Sequence, residues 1–322
     1  DNVLDATNAW HRQVTDEALL AGLPETARAL ARQTAEQRDM EGWVFTLEFP
    51  SYYPVMTYAD NRELREELYT AYVTRASDQG PHAGQWDNAP LMERILALRH
   101  EAAQLLGFGN YAERSLETKM AESPQHVLDF LNDLAARSKP AAEKELEAVR
   151  DFAREEDGLE DLQAWDIPYY SEKLRQQRYS ISQEELKPYF PQPQVVSGLF
   201  SIVERLYGLN ISEISGIDTW HEDVRFYRIH DADGELRGEF YLDLYARPHK
   251  RGGAWMNAYR SQERFADDIP PIVSNNSNFV KGQPGEPGMQ VLFILSTPGT
   301  DNVPIPLNLQ ERHRQVVPET LG

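Results

Sequence analysis

His100-Glu101-Ala102-Ala103-Gln104 places a His beside a Glu on a segment with helical spacing. A catalytic zinc helix needs a second His four residues after the first. That spacing turns both imidazoles toward one metal, with the Glu beside them as base for the bound water. Gln104 occupies the second-His position, and an amide is a poor zinc ligand; the plainer reading is a helix-surface His next to a helix-surface Glu. The other His-Glu pair, His221-Glu222, has Arg225 at the second-His position. Its strand-like surroundings send successive side chains to opposite faces. His221 and His230 are nine positions apart, an odd spacing that would put them on opposite sides of a regular strand, leaving a loop His and an exposed strand His.

Other chemistries have less behind them. No G-x-S-x-G, no G-x-x-x-x-G-K-S/T and no G-x-G-x-x-G occurs in the 322 residues. Carboxylate pairs such as Glu155-Glu156 and Asp267-Asp268 carry no weight in a chain with 52 acidic residues. The chain has no cysteine, which removes thiolate metal sites, disulfides and a cysteine nucleophile together. Composition and spacing thus assign no catalytic and no metal-binding residue. One stretch is specialised in another way: in YLDLYARPHKRGGAWMNAYR, Gly252 and Gly253 interrupt a strand-like run. They permit a bulge or close approach by another chain, as in strand-edge capture of an extended peptide. An ordinary tight turn after a basic loop is the plainer alternative.

Such residues need a scaffold, and the first two hundred residues read as successive helices. In DNRELREELYTAYVTRA, Asp60 or Asn61 caps a helix whose Leu64, Leu68 and Tyr72 share one stripe. In DNAPLMERILALRHEAAQLLGFGN, Asp87 or Asn88 caps and Pro90 sits in the first turn. Leu91, Ile95, Leu98, Ala102 and Leu105 are expected to form its buried face. A long charged helix or helix pair runs from Ser123 to Gly158, with Pro140 expected to kink or break it, and a shorter helix stops at Gly208. Near residue 220 aromatic and branched residues gather on both sides of Asp233-Gly234, a hairpin signal; RGGAWMNAYR and PIVSNNSNFV read as further strands. The expected fold is mainly α, with a helical body over residues 1–210, a small β-rich part over 211–287, and a divergent Gly/Pro-rich, loosely attached tail over 288–322.

Charge narrows the partners. Asp plus Glu number 52 against 32 Lys plus Arg, a net charge of −20, which repels phosphate backbones and argues against nucleic acid. No apolar run approaches a membrane span and DNVLDATNAW does not read as a signal peptide, so a cytoplasmic protein is expected.

Several blocks carry a family likeness: NVLDAT, VTDEA, SYYPVMTYADNRELREELYTAYVTRASDQG, NAPLMERILALRHEAAQLLGFGNYAERSLETKMAESP, WDIPYYSEKLR and FYLDLYARPHKRGGAWM. In content and order they resemble the thimet oligopeptidase family of zinc metallopeptidases, almost continuously over residues 1–287. The resemblance implies a mainly helical protein with a deep channel that admits short peptides and a zinc-bound water that cuts them. It also implies that the helix around His100 is not the family's metal site, since the family's H-E-F-G-H motif lies beyond the segment matching NFVKGQPGEP. After Pro287 this chain reads differently, and His313 in ERHRQV cannot replace a two-His helix. The expectation is therefore an oligopeptidase-like chain that binds no zinc at a catalytic site and does not hydrolyse peptides alone. By the same resemblance Gly252, Gly253, Ala254 and Trp255 line the cleft and face bound peptide, with Arg247, Lys250 and Arg251 flanking them. Rival expectations are a non-catalytic module that binds short peptides and a scaffold that self-associates through surface the rest of a full-length enzyme would cover.

Overall fold

Asn61 starts helix α4 (Arg62–Val73) by accepting a hydrogen bond from the Leu64 N–H at 2.7 Å, which satisfies one of the donors a helix start leaves open. From there Leu64, Leu68 and Ala71 fall on one face and are buried, with Tyr72 packed against their cluster. The computed structural model describes residues 2–180, 189–247, 249–265 and 267–279; the Gly/Pro-rich tail over 288–322 lies outside them.

The chain divides into two units. Among the described residues of the first are α1 (Asn2–Ala9), β1 (His11–Val14), α2 (Glu25–Gln37), β2 (Trp43–Thr46), α3 (Phe49–Tyr58), α4, α5 (Ala89–Leu105), α6 (Tyr111–Leu116), α7 (Pro124–Asp157) and α8 (Ile167–Tyr179). Strands β1 and β2 form an antiparallel pair with His11 opposite Thr46 and Val14 opposite Trp43. The main core joins Val14, Leu20, Phe45, Leu47, Val55, Met56, Leu64 and Leu68, so it is built by β1, β2, α3 and α4 and the turn ahead of α2. A second cluster packs Val149, Phe152 and Ala153 of α7 against Tyr169, Tyr170 and Leu174 of α8.

One buried charge cluster ties α4 to the start of α8. The Asp166 carboxylate is fully buried and receives Arg65 Nη2 at 2.9 Å, Arg62 Nε at 3.0 Å and the Gln163 backbone N–H at 3.0 Å. Arg65 also donates to the Ala59 carbonyl at 2.6 Å and lies over the Tyr169 ring at 4.1 Å. Burial alone would raise the Asp166 pKa; the hydrogen bonds from Arg62, Arg65 and Gln163 outweigh it and hold the group below its ordinary value. Nothing in local spacing announced this cluster, because its members are about a hundred residues apart in sequence.

Two helices depart from expectation. In α5 only Ala103 is buried, whereas Leu91, Ile95, Leu98 and Leu105 of the expected core face are exposed. The amphipathic pattern is real, and what is absent is a covering surface among the described residues. Pro140 does not break α7, which continues from Pro124 to Asp157. The surrounding turns are exposed, so the carbonyl that loses its N–H partner to the proline can be met by water. Ser123 caps the start through the His126 N–H, and Gly158 ends the helix with φ +66°.

The second unit holds α9 (Gln192–Tyr207) from Pro193 onward and most of a five-stranded sheet ordered β3 (Asn210–Glu213), β4 (Arg225–His230), β5 (Leu236–Tyr245), β7 (Ile272–Phe279), β6 (Trp255–Arg260). The β4–β5 hairpin sits where the sequence placed it. Asp231 Oδ1 accepts from the Asp233 and Glu235 N–H groups, Gly234 takes φ +80°, and Arg237 Nε donates to Asp231 Oδ2 at 2.7 Å. The mainly α class with a small sheet is borne out.

Candidate functional site

The segment leading into β6 is held by side chains from elsewhere in the first unit. His249 takes a left-handed φ of +65°, and its Nδ1 lies 3.2 Å from Asn8 Nδ2. Lys250 Nζ donates to the Tyr245 carbonyl at 2.8 Å, while Asn278 Nδ2 donates to the carbonyls of Arg251 at 2.9 Å and Gly253 at 2.7 Å. Nearby, burial raises the Glu48 carboxyl above its ordinary value, an effect that Arg38 and His249 partly offset.

Gly252 and Gly253 occupy a bend ahead of β6 and are not inside a strand as the sequence suggested. A Cβ at either would meet nothing within 4 Å, so no close approach by the described residues requires glycine. Gly253 is required for its backbone, since φ is +90° and an L side chain there would cost on the order of 1–2 kcal/mol. Gly252 carries no such demand.

Within the second unit, Ala254 is exposed and Trp255, half-buried, begins β6. This strand pairs antiparallel with β7, Trp255 opposite Asn276 and Met256 opposite Asn275, with a register shift between Ala258 and Arg260. Asn276 is buried; its Nδ2 donates to Ser274 Oγ at 3.0 Å and to the Trp255 carbonyl at 3.3 Å, which fixes where β6 starts. In the strand order β6 is an edge, and among the described residues it has a partner on one side only. Roughly half of its N–H and C=O groups therefore point away from β7. Beside it runs an aromatic row: Trp220 lies 4.9 Å from Tyr241 and 6.1 Å from Tyr259, and Trp220 Nε1 donates to the buried Asp243 at 2.9 Å. Sequence reasoning missed this row because Trp220, Tyr241 and Tyr259 come from three separate segments.

Each His-Glu segment has a local role of its own within its unit. Gln104 Nε2 donates to the Phe108 and Gly109 carbonyls, at 3.3 and 2.8 Å, so it closes the turn after α5 and stands in for no metal ligand. His221 Nδ1 accepts from the Asp223 N–H at 3.2 Å, and Arg225 turns back to the Glu222 carbonyl at 2.6 Å. Glu155 and Glu156 are exposed near the end of α7. Among the described residues no three His, Cys, Asp or Glu side chains come together in a group that could hold a metal ion. Among them, too, no helix is long and apolar enough to cross a membrane.

Compared with known proteins, residues 55–290 match the model of peptidase family M3. The chain belongs to peptidase family M3. It is 58% identical over 291 residues to oligopeptidase A of Salmonella typhimurium, an overlap of 90% of this chain and 43% of that protein. Oligopeptidase A of Haemophilus influenzae is 56% identical over 281 residues, 87% of this chain and 41% of the relative. Dipeptidyl carboxypeptidase of Escherichia coli is 31% identical over 289 residues, with 89% and 42% covered. Within M3, a family of metallopeptidases, the chain is thus oligopeptidase A-like, as its sequence blocks indicated. It spans less than half the length of these relatives. The family's metal finds no matching donor set among the described residues: His100 and His221 each stand with one neighbouring carboxylate and without a second imidazole at helical spacing.

Proposed function

We propose that these 322 residues form the part of an oligopeptidase A-like M3 peptidase that holds a short extended peptide along the outer edge of β6, without cutting it on their own. The observation that carries the reading is the pairing of β6 on one side only among the described residues, which leaves a row of main-chain donors and acceptors on the strand that begins at Trp255. A peptide laid antiparallel on that edge gains hydrogen bonds whatever its sequence, and its alternate side chains provide the selectivity. Trp255 opens the strand, and Gly252, Gly253 and Ala254 form the segment ahead of it. The acidic chain favours neutral to basic peptides.

The donor inventory supports the reading that the chain does not hydrolyse peptides on its own. No H-E-x-x-H occurs in the 322 residues, and no other described group could bind zinc and lower the pKa of an attacking water. Cleavage belongs to whatever polypeptide supplies that motif in the family.

The test is a titration of the chain with a fluorescently labelled, neutral octapeptide, followed by anisotropy. A second peptide of the same sequence, N-methylated at alternate residues, keeps the side chains and loses main-chain donors. Saturable binding by the first and at least tenfold weaker binding by the second supports strand addition at β6. Equal binding of both peptides, or none, would remove that reading.

A further inference from the structure

Trp220, Tyr241 and Tyr259 form a triangle of rings within the second unit. Their centroids are 4.9, 6.1 and 6.2 Å apart, and the planes are tilted to one another by 48°, 61° and 89°. Tyr241 comes from β5 and Tyr259 from the edge strand β6, so the row runs across the sheet toward the edge on which the peptide is placed. Trp220 is 46% and Tyr259 57% exposed, which leaves both rings open to solvent. The indole is held in place because its Nε1 donates to the buried Asp243 carboxylate at 2.9 Å. That acceptor also polarises the N–H bond and pushes electron density onto the ring, which strengthens its pull on a cation.

Two observations select the occupant. Elsewhere the chain covers several of its rings with its own cations: Arg32 lies over Trp43 at 5.2 Å, Arg75 over Tyr72 at 3.6 Å and Arg99 over Tyr111 at 4.9 Å. Among the described residues no cation lies over Trp220, Tyr241 or Tyr259. Arg260, next to Tyr259, is turned instead to Glu239 Oε2 at 3.3 Å and to the Pro270 carbonyl at 2.9 Å. The surroundings are also acidic, since Asp218 and Glu222 flank Trp220 in sequence and are exposed, in a chain of net charge −20. Uncovered rings in a negative field attract a positive side chain and disfavour a second copy of this chain.

We propose that the Trp220–Tyr241–Tyr259 row is a side-chain subsite for an arginine of the peptide held on β6, with lysine the weaker occupant. A guanidinium is planar and weakly hydrated, so it stacks on an indole or phenol face better than an ammonium does. A peptide residue beside Tyr259 has its Cβ about 5 Å away, and its side chain must extend across Tyr259 toward Trp220, which selects a long one. This assigns a substrate class to the β6 edge and rests on the strand-addition reading.

The experiment titrates the chain, followed by anisotropy, with labelled octapeptides that differ at one central residue: alanine, arginine, citrulline as the neutral isostere of arginine, or phenylalanine. The arginine peptide is expected to bind about fivefold tighter than the citrulline peptide, and Tyr259→Ala to bring that ratio down to about two. The substitution leaves every charge in place, so general attraction to an acidic chain survives in it. Tyr259→Phe, which keeps the ring, should keep the ratio. An arginine preference that Tyr259→Ala leaves intact overturns the inference, as does equal binding of the arginine and citrulline peptides; binding of the alanine peptide then leaves strand addition standing. A phenylalanine peptide that gains as much as the arginine peptide, and loses it in Tyr259→Ala, overturns it in favour of an apolar occupant. A dimer of the chain that Tyr259→Ala disperses overturns it in favour of a second copy. Arginine binding that needs Tyr259, with no binding of the alanine peptide, supports the subsite and removes strand addition. Binding of none of the peptides removes both.

Discussion

Helices α4 and α5 carry the same kind of message and meet different fates. Each is amphipathic with apolar residues at helical spacing, yet Leu64 and Leu68 of α4 are 4% and 0% exposed, whereas Leu91 and Leu98 of α5 are about half exposed. Periodicity specifies that a face is apolar; it does not say which surface covers it. The cover for α4 is local, supplied by β1, β2 and α3, all within the first 60 residues. The cover for α5 is not among the described residues, in a chain that spans less than half of its M3 relatives.

That contrast can be tested most severely at the buried charge cluster beneath α4. Asp166→Ala leaves Arg65 buried and unpaired and is expected to cost about 3–5 kcal/mol in urea unfolding. Glu101→Ala on exposed α5 should change stability by no more than about 0.5 kcal/mol. Next in size, Leu68→Ala should cost about 2–5 kcal/mol, and Leu98→Ala about 0.5 kcal/mol or less in the chain alone. Comparable losses at both leucines would mean that α5 is covered after all.

Acid titration sharpens the same point. The Asp166 pKa is lowered in the folded state, so its stabilising contribution is present above the ordinary carboxylate value of 3.8 and is lost as pH falls through the lower folded value. Urea midpoints measured from neutral pH downward should fall in that range, and Asp166→Asn should remove this component of the slope. The smallest expected effects are at the caps. Asn61→Ala should cost about 1 kcal/mol globally. Ser123→Ala should leave global unfolding nearly unchanged and speed hydrogen exchange in the first turns of α7, which bury nothing.

Much of this fold was legible because its signals are local. Asn61, Ser123, Gly158, Gly208 and the Asp231–Glu235 turn each act within a few residues, and the helices and the hairpin appear where those residues place them. Four-residue strands such as β1 and β2 were not legible, since they are too short for alternation to register and depend on a partner about thirty residues away. The burial of α5 was misjudged for the reason already given. At the site, the glycine pair was visible but its role was not: Gly253 answers to a dihedral angle and Gly252 to nothing nearby. The aromatic row of Trp220, Tyr241 and Tyr259, like the Arg62–Arg65–Asp166 cluster, is assembled only by tertiary folding.

The central claim is that these residues hold peptides and do not cut them. It is met most directly by incubating the chain, with equimolar zinc, with a quenched fluorescent neutral octapeptide and following both anisotropy and dequenching. The account predicts a saturable rise in anisotropy and no dequenching. Dequenching that proceeds with turnover and stops on addition of a zinc chelator would contradict it, and would place a working metal centre in a chain that contains no H-E-x-x-H.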